Sequence, residues 1–97
     1  MEIREVIILP EIEQKLIQKH HVFGDEVEEL FEQNPHIRFV QKGKIKGENL
    51  YVALWRTEAG RYLSVFFVRK DEGVAMVISA RDMDSKERKL YGKVQKK

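Results

Sequence analysis

The sequence predicts an α+β domain: a small antiparallel sheet of about four to five strands, two N-terminal helices packed on it, and a C-terminal helix. Two observations carry this prediction. Apolar residues recur at helical spacing over residues 10–21 and again over residues 25–34. From His36 onward, short β-branched and aromatic runs alternate with glycine-containing turns, a pattern typical of an antiparallel meander.

The N-terminal third predicts one strand and two helices. The β-branched segment IREVII forms the strand, which ends at Leu9 because Pro10 cannot continue a β-ladder but suits the start of a helix. The first helix covers PEIEQKLIQKHH. The second covers DEVEELFEQN, with Asp25 as its N-cap, and the Asn34-Pro35 pair closes it.

The rest of the chain predicts four strands and a helix. HIRFVQK is a strand, and KGKIKGE is an exposed turn. NLYVALWR and YLSVFFVR are apolar on both alternations, so we expect central strands covered on both faces. The turns TEAG and KDEG end at Gly60 and Gly73 and form hairpins, with VAMVISA as the last strand. Asp84 and Glu87 have the spacing of a capping box, so a final helix starts there. The predicted order is β-α-α-β-β-β-β-α in one domain over residues 1–97.

Composition excludes several protein classes. The 97 residues contain 35% charged side chains and no cysteine, so neither a disulfide framework nor a thiolate metal site is expected. No apolar run is long enough for a transmembrane helix. The N-terminus is too acidic and too short in apolar residues for a signal peptide, which predicts a soluble cytoplasmic protein with no membrane partner.

The charge is divided unequally along the chain. Residues 1–35 carry three basic and nine acidic side chains, whereas residues 36–97 carry fifteen basic and seven acidic ones. Such a division favours a polyanionic partner for the basic part. A second interpretation stays open, in which the two halves attract each other and leave a mixed surface.

Common catalytic patterns are missing. His20, His21 and His36 are the only histidines, and adjacent helical histidines point about 100° apart, so they do not share a ligand face. Ser64 and Ser79 lie inside strands without a nucleophile motif. No glycine-rich phosphate loop is present, and Trp55 and the paired phenylalanines are expected in the core. We therefore predict no cofactor.

A basic constellation remains at one edge of the sheet. Strand alternation predicts that Arg81 lies on the same face as Ala75, Val77 and Ser79. The helix that follows carries Lys86, Arg88, Lys89 and Lys93, and a helix N-terminus beside an arginine suits a phosphate. An ion pair of Arg81 with Glu87 or Asp84 that only fastens the helix is the alternative. The two interpretations are compatible.

Five short motifs occur in order: KH, GE, GRYLSV, VISAR and ERKLY. Together they resemble the BrnT family of toxins from type II toxin–antitoxin modules, over roughly residues 11–91. The resemblance implies a RelE-like fold and a metal-independent ribonuclease that blocks translation, with or without the ribosome, and is held inactive by a cognate antitoxin. DNA enters only indirectly, through that antitoxin. The implied site residues are Lys19, His20, Glu48, Arg61, Arg81, Arg88 and Tyr91.

The resemblance also suggests a role for each of these residues. Arg81 and Arg88 would stabilise phosphorane charge, His20 or Glu48 would act as general base or acid, and Tyr91 would position substrate. RNA contacts would come from the remaining basic residues of the constellation and from the KH and GR motifs: Lys19, Arg61, Lys86, Lys89 and Lys93.

Two departures from the family pattern leave the chemistry open. Leu50 and Met76 stand where the family commonly has arginines. An alternative function is therefore a catalytically weakened module that binds RNA, the ribosome or the antitoxin. A third interpretation is a protein-binding domain without any nucleic-acid role.

Overall fold

The computed structural model describes residues 1–45 and 47–95 and contains the predicted order of elements. The strands are β1 (Glu5–Ile7), β2 (His36–Gln41), β3 (Leu50–Arg56), β4 (Tyr62–Lys70) and β5 (Val74–Asp82). The helices are α1 (Pro10–His20), α2 (Gly24–Glu32) and α3 (Ser85–Gln95). The turn predicted over residues 42–48 includes Lys46, which lies outside the described residues.

The helix starts follow local signals, with one correction. Pro10 opens α1 as predicted, and α1 ends at His20, followed by the C-cap residue His21 in a left-handed conformation with φ of 53°. The prediction that Asp25 caps α2 is wrong, because the N-cap is Phe23 and Asp25 lies in the first turn. The Glu26 carboxylate accepts a bond from the Phe23 N–H at 3.0 Å, so a carboxylate inside the helix satisfies the exposed donor instead.

The sheet has the order β1-β5-β4-β3-β2. Strands β2 to β5 form the predicted antiparallel meander, and β1 adds to β5 in parallel, so the five-stranded sheet is mixed. Both predicted hairpin turns are present. Gly60 and Gly73 have φ of 96° and 84°, a conformation that glycine adopts without steric cost.

Helices cover the two sides of the sheet to different extents. On what we call the helical face, Leu16 of α1 and Leu30 of α2 pack on Val65 and Phe67 in the main core. The other side, which carries Ser64, Phe66 and Arg81, we call the open face. Of the helices within residues 1–45 and 47–95, α3 alone crosses it, and Tyr91 packs there in a second cluster, with Val52, Leu54 and Met83. The central positions of β3 and β4 are confirmed.

A β-bulge decides where Arg81 points. Phe66 pairs with Ser79 but Phe67 pairs with Val77, so Ile78 is an extra residue in β5. Val77 and Ala80 are both buried in the helical-face core. The prediction that Arg81 shares a face with Ala75 and Val77 is therefore wrong: the extra residue reverses the alternation, and Arg81 lies on the open face.

The C-terminal helix is anchored as its sequence predicts. The Glu87 N–H donates to Asp84 Oδ1 at 2.8 Å, and the Asp84 N–H donates to Glu87 Oε1 at 2.9 Å, which confirms the capping box. Of the apolar residues on α3, Tyr91 is buried, and Leu90 and Val94 are half-buried. Within the described parts of the chain, no helix combines the length and apolarity needed to cross a bilayer.

Candidate nucleic-acid interface

The open face contains a groove of 380 Å³ beside α3. Its walls and floor come from β2, β3, β4, the end of β5 and the start of α3: Arg38, Phe39, Val40, Val52, Leu54, Phe66, Arg81 and Glu87. Two guanidinium groups and the Glu87 carboxylate thus line a groove whose other lining residues are apolar. Arg38 is not among the predicted site residues. Its pairing with Val52 places it on the open face, and strand alternation from the apolar Ile37 is the signal that would have found it.

Arg81 is held firmly at one end of this groove. Its Nη1 donates to Glu87 Oε1 at 2.7 Å and to the Asp82 carbonyl at 3.0 Å, and its Nη2 donates to Glu87 Oε2 at 3.0 Å. The guanidinium carbon lies 5.1 Å from the centroid of the Phe66 ring, within cation–π range. These bonds use three of the five N–H groups of an arginine, so two remain for a ligand.

The Glu87 carboxylate joins three elements. Besides Arg81 and the Asp84 N–H, it accepts a bond from the hydroxyl of Ser64, which is fully buried, at 2.9 Å. The ion pair predicted between Arg81 and Glu87 is confirmed, and Arg81 also lies 3.8 Å from Asp84. The arginine therefore fastens α3 to the sheet while part of its side chain, 34%, stays exposed.

Arg88 lies in a different place from Arg81. Its guanidinium carbon is 4.1 Å from the centroid of the Tyr62 ring, and that of Arg56 is 5.3 Å from the same centroid. Tyr91 packs edge-on against Tyr62, and its hydroxyl accepts a bond from the Arg56 N–H at 3.1 Å. The structure thus places Arg81 and Arg88 over different rings, and Tyr91 is buried rather than displayed to solvent.

Arg61 is a clamp between the helices and the sheet. Its nitrogens donate to the carbonyls of His20 and His21 at 2.8 and 2.7 Å, to Glu26 Oε1 at 3.0 Å and to Asp82 Oδ1 at 2.7 Å. Burial alone would lower the pKa of the Arg61 guanidinium. Hydrogen bonds to and charge attraction by Asp82 and Glu26 outweigh burial and raise that pKa above its ordinary value.

Asp82 connects the end of α1 to the open face. Its side chain binds Arg61, which binds the His20 carbonyl, and its own carbonyl accepts a bond from Arg81. His20 and the exposed Lys19 therefore lie at the same end of the sheet as Arg81, although α1 packs on the helical face.

Glu48 lies at the opposite end of the sheet. It forms an ion pair with Lys70, the last residue of β4. Arg81 pairs with Ser64, six residues earlier on β4, and a strand rises about 3.3 Å per residue, so the two sites are about 20 Å apart. The structure does not bring Glu48 to Arg81.

The acidic side chains of α2 and the basic side chains of α3 lie on opposite sides of the sheet. Five acids lie on α2, on the helical face: Asp25, Glu26, Glu28, Glu29 and Glu32. The basic side chains Lys86, Lys89 and Lys93 are exposed along α3, on the open face. The acidic and basic halves therefore point mostly away from each other, with Arg61–Glu26 as a direct link between them. Within residues 1–45 and 47–95, no cluster of three or more His, Asp or Glu side chains is arranged to hold a metal ion.

A family model described as "Ribonuclease toxin, BrnT, of type II toxin-antitoxin system" matches residues 10–87, most of the chain. The chain belongs to the BrnT family. A comparison with curated proteins finds no significant match. The BrnT match begins at the first residue of α1 and ends at Glu87, so it includes Arg81 and its carboxylate partner. A ribonuclease toxin of a type II system acts on RNA and is paired with a protein antitoxin.

Leu50 and Met76, where the resemblance leads us to expect arginines, lie in one row of the open face. Leu50 of β3 and Met76 of β5 both pair with Val68 of β4. Val68 and Ser64 are four residues apart on β4. At about 3.3 Å per residue, this row therefore lies about 13 Å along the strand from the Ser64–Arg81 pair. Arginines at these two positions would extend the basic character of this face, whereas this BrnT chain has an apolar row there.

Proposed function

We propose that this BrnT chain cleaves RNA in the cytoplasm without a metal ion, and that Arg81 stabilises the charge that develops on the reacting phosphate. One observation carries the proposal. The Arg81 guanidinium is fixed by Glu87 and Phe66 at the end of an exposed groove, with two N–H groups left for phosphate oxygens. A donor that is already oriented costs no reorganisation when the charge forms.

The reaction needs two proton transfers. A base removes the proton of the RNA 2′-hydroxyl, the 2′-oxygen forms a bond to phosphorus, and the bond from phosphorus to the 5′-oxygen breaks. An acid then gives a proton to the leaving 5′-oxygen. His20 is our candidate for one of these roles, because Asp82 and Arg61 connect it to the Arg81 end of the sheet. Glu48 has no part in this proposal, since it lies about 20 Å away along β4.

RNA binding would combine the groove with the basic side chains of α3. Arg38 lies across the groove floor from Arg81, so a strand that runs along the groove passes between two cations. Lys86, Lys89 and Lys93 extend positive charge along α3. Cleavage of RNA bound in this way would inhibit translation.

The test is RNA cleavage by the purified chain in EDTA. The wild type should cleave, and Arg81→Ala should lose about 10²–10³ in rate, as for removal of one charge-stabilising donor. Arg4→Ala is the matched control, because Arg4 is an exposed arginine bonded to Gly73, at the opposite end of β5 from Arg81. Equal degradation by wild type and Arg81→Ala would point to a contaminating nuclease and remove the proposal.

A catalytically weakened binding module is the second candidate. The apolar row formed by Leu50, Val68 and Met76 favours it, since cations of the family pattern are replaced there. Induced expression in bacteria separates the two candidates. Growth arrest that disappears with Arg81→Ala supports cleavage. Arrest that survives this substitution, or no arrest by the wild type, supports the module.

A further inference from the structure

We propose that Arg56, Arg88 and Tyr62 form a second phosphate-binding subsite for RNA, separate from the groove that holds Arg81. The inference rests on the proposed function, because it concerns the same substrate. It assigns a role to Arg56, and it moves Arg88 from the reacting phosphate to a neighbouring one.

Two elements bring two cations to one ring. Arg56 and Tyr62 are directly paired across β3 and β4, and Arg88 reaches the same ring from the first half of α3. The guanidinium carbons lie 5.3 and 4.1 Å from the Tyr62 centroid, both within cation–π range. The aromatic ring thus holds two side chains that would otherwise repel each other.

Within the described part of the chain, no ion pair neutralises the positive charge of Arg56 and Arg88. Among residues 1–45 and 47–95, no carboxylate lies within 4.0 Å of either guanidinium, and both side chains are exposed. By contrast, Arg61 and Arg81 each pair with acids at 2.7 Å. Two unpaired guanidinium groups whose carbons lie 5.3 and 4.1 Å from one ring centroid suit an anion with several oxygens, and a phosphate is such an anion.

A small pocket adjoins the pair. It has a volume of 280 Å³ and is bounded by Arg56, Tyr62, Tyr91, Gly92 and Gln95. Gly92 lies inside α3, where glycine is unfavourable compared with alanine. A Cβ there would meet no atom within 4 Å, so packing does not require glycine. Because Gly92 has no side chain, the pocket stays open on the side of α3. Its volume is close to about 300 Å³, the lower end of the range for ligand sites.

The subsite and the groove hold different phosphates. Arg88 lies over Tyr62 and Arg81 over Phe66, two residues of β4 whose Cα atoms are about 13 Å apart along the strand. We assign them different phosphates because each guanidinium rests on its own ring, and Arg81 is also held by Glu87. We infer that an RNA strand crosses the start of α3, with one phosphate at Arg81 and another between Arg56 and Arg88.

Binding of an uncleavable RNA tests the subsite. The probe is a single-stranded 2′-O-methyl RNA of twelve nucleotides, titrated at several salt concentrations. Arg56→Gln and Arg88→Gln should each weaken binding about tenfold and reduce the log–log salt slope by about 0.7, the value for one phosphate contact. The double variant should reduce the slope by the same amount, because both cations hold one phosphate. Arg4→Gln, with the same change of charge, is the control.

A variant that keeps the charge distinguishes a specific phosphate site from nonspecific electrostatic attraction of RNA. Gly92→Leu fills the pocket and keeps every cation, so it should also weaken binding several-fold while circular dichroism shows an unchanged fold. Wild-type affinity in Gly92→Leu, or arginine variants that match Arg4→Gln, would overturn the subsite.

The outcome is distinguishable from that of the proposed function. Loss of binding in the arginine variants, with no RNA cleavage by the wild type, would keep the subsite and remove the nuclease. Arg81-dependent cleavage with unaffected binding in both arginine variants would remove the subsite alone. A chain that neither binds nor cleaves RNA would overturn both.

Discussion

The Arg81 guanidinium and the Glu87 carboxylate share two hydrogen bonds, Nη1 to Oε1 at 2.7 Å and Nη2 to Oε2 at 3.0 Å. The same carboxylate also accepts bonds from the buried Ser64 hydroxyl and the Asp84 N–H. The arginine that we propose for charge stabilisation therefore also attaches α3 to the sheet. Substitutions in this network should change stability and RNA binding in different proportions.

Ser64→Ala should destabilise the chain by about 1–2 kcal/mol. The hydroxyl is fully buried and its one bond goes to Glu87, so its removal leaves a half-buried carboxylate with one donor fewer. Urea unfolding measures the effect. Ser79→Ala, a half-buried serine on the same face, is the control and should change stability by less than about 0.5 kcal/mol. Equal effects would mean that the Ser64–Glu87 bond contributes nothing.

Glu87→Gln should lower stability and raise RNA affinity. The substitution weakens the bond to Arg81 and so leaves more of the arginine's charge for phosphate. We expect a several-fold fall in Kd for the 2′-O-methyl RNA. The control is Glu72→Gln, which makes the same change of charge at an exposed turn. Weaker binding by Glu87→Gln would show that the carboxylate matters mainly by orienting Arg81.

Arg61→Ala should act on folding more than on RNA. Its side chain bridges α1, α2 and β5, so we expect a loss of about 2–4 kcal/mol. Because the folded-state pKa of Arg61 is raised, its contribution is present at low pH and is lost only as pH rises past that pKa. The difference in stability between wild type and Arg61→Ala should therefore not decline between pH 7 and pH 10. Normal stability with weakened RNA binding would instead support Arg61 as an RNA contact.

RNA affinity should depend strongly on salt. About three to four phosphate contacts predict a log–log slope of about −2 to −3 for single-stranded RNA. The contacts would come from the basic residues at the end of β5 and on α3: Arg81, Lys86, Arg88, Lys89 and Lys93. Charge reversal at Lys89 and Lys93 should flatten the slope without unfolding the chain, since both are exposed. A salt-independent affinity would mean that α3 is only structural.

The antitoxin should cover the open face. Beyond its start, which Glu87 ties to the sheet, α3 contributes one buried side chain, Tyr91, and half-buried Leu90 and Val94, so its C-terminal part is weakly held in the isolated chain. An antitoxin that brings acids to Arg81 and Arg88 should protect residues 81–95 in hydrogen exchange and compete with RNA. Protection confined to residues 1–35 would place the antitoxin on the helical face instead.

Local signals predicted most of the fold. Pro10, the glycine turns and the Asp84–Glu87 capping box are read within a few residues of sequence, and each is present. Features that depend on distant partners were missed. No residue near Ile78 marks the bulge, which exists because β4 and β5 pair in a particular register. The RelE-like classification stays a prediction.

The site was predicted less completely, for the same reason. The basic character of α3 is visible in its composition, but the fate of each arginine depends on what lies opposite. Arg61 meets Glu26 and the His20 carbonyl, 35 and 41 residues away in sequence. Arg88 and Arg56 meet at Tyr62 only after the sheet has formed. Sequence motifs indicated which residue types matter and not which of them converge.

The extra residue at Ile78 makes the direction of Arg81 depend on the number of residues in β5. Strand side chains alternate between the two faces of the sheet. The face on which Arg81 lies therefore depends on whether an odd or an even number of residues separates it from Val77. The Ile78 side chain itself is 43% exposed, so we expect substitutions of it to leave the fold intact. Substitutions of Ile78 should therefore be tolerated. Deletion of Ile78 should not, because it would turn the Arg81 guanidinium toward the apolar interior. The number of residues in β5 therefore matters as much for the proposed role of Arg81 as the identity of any side chain.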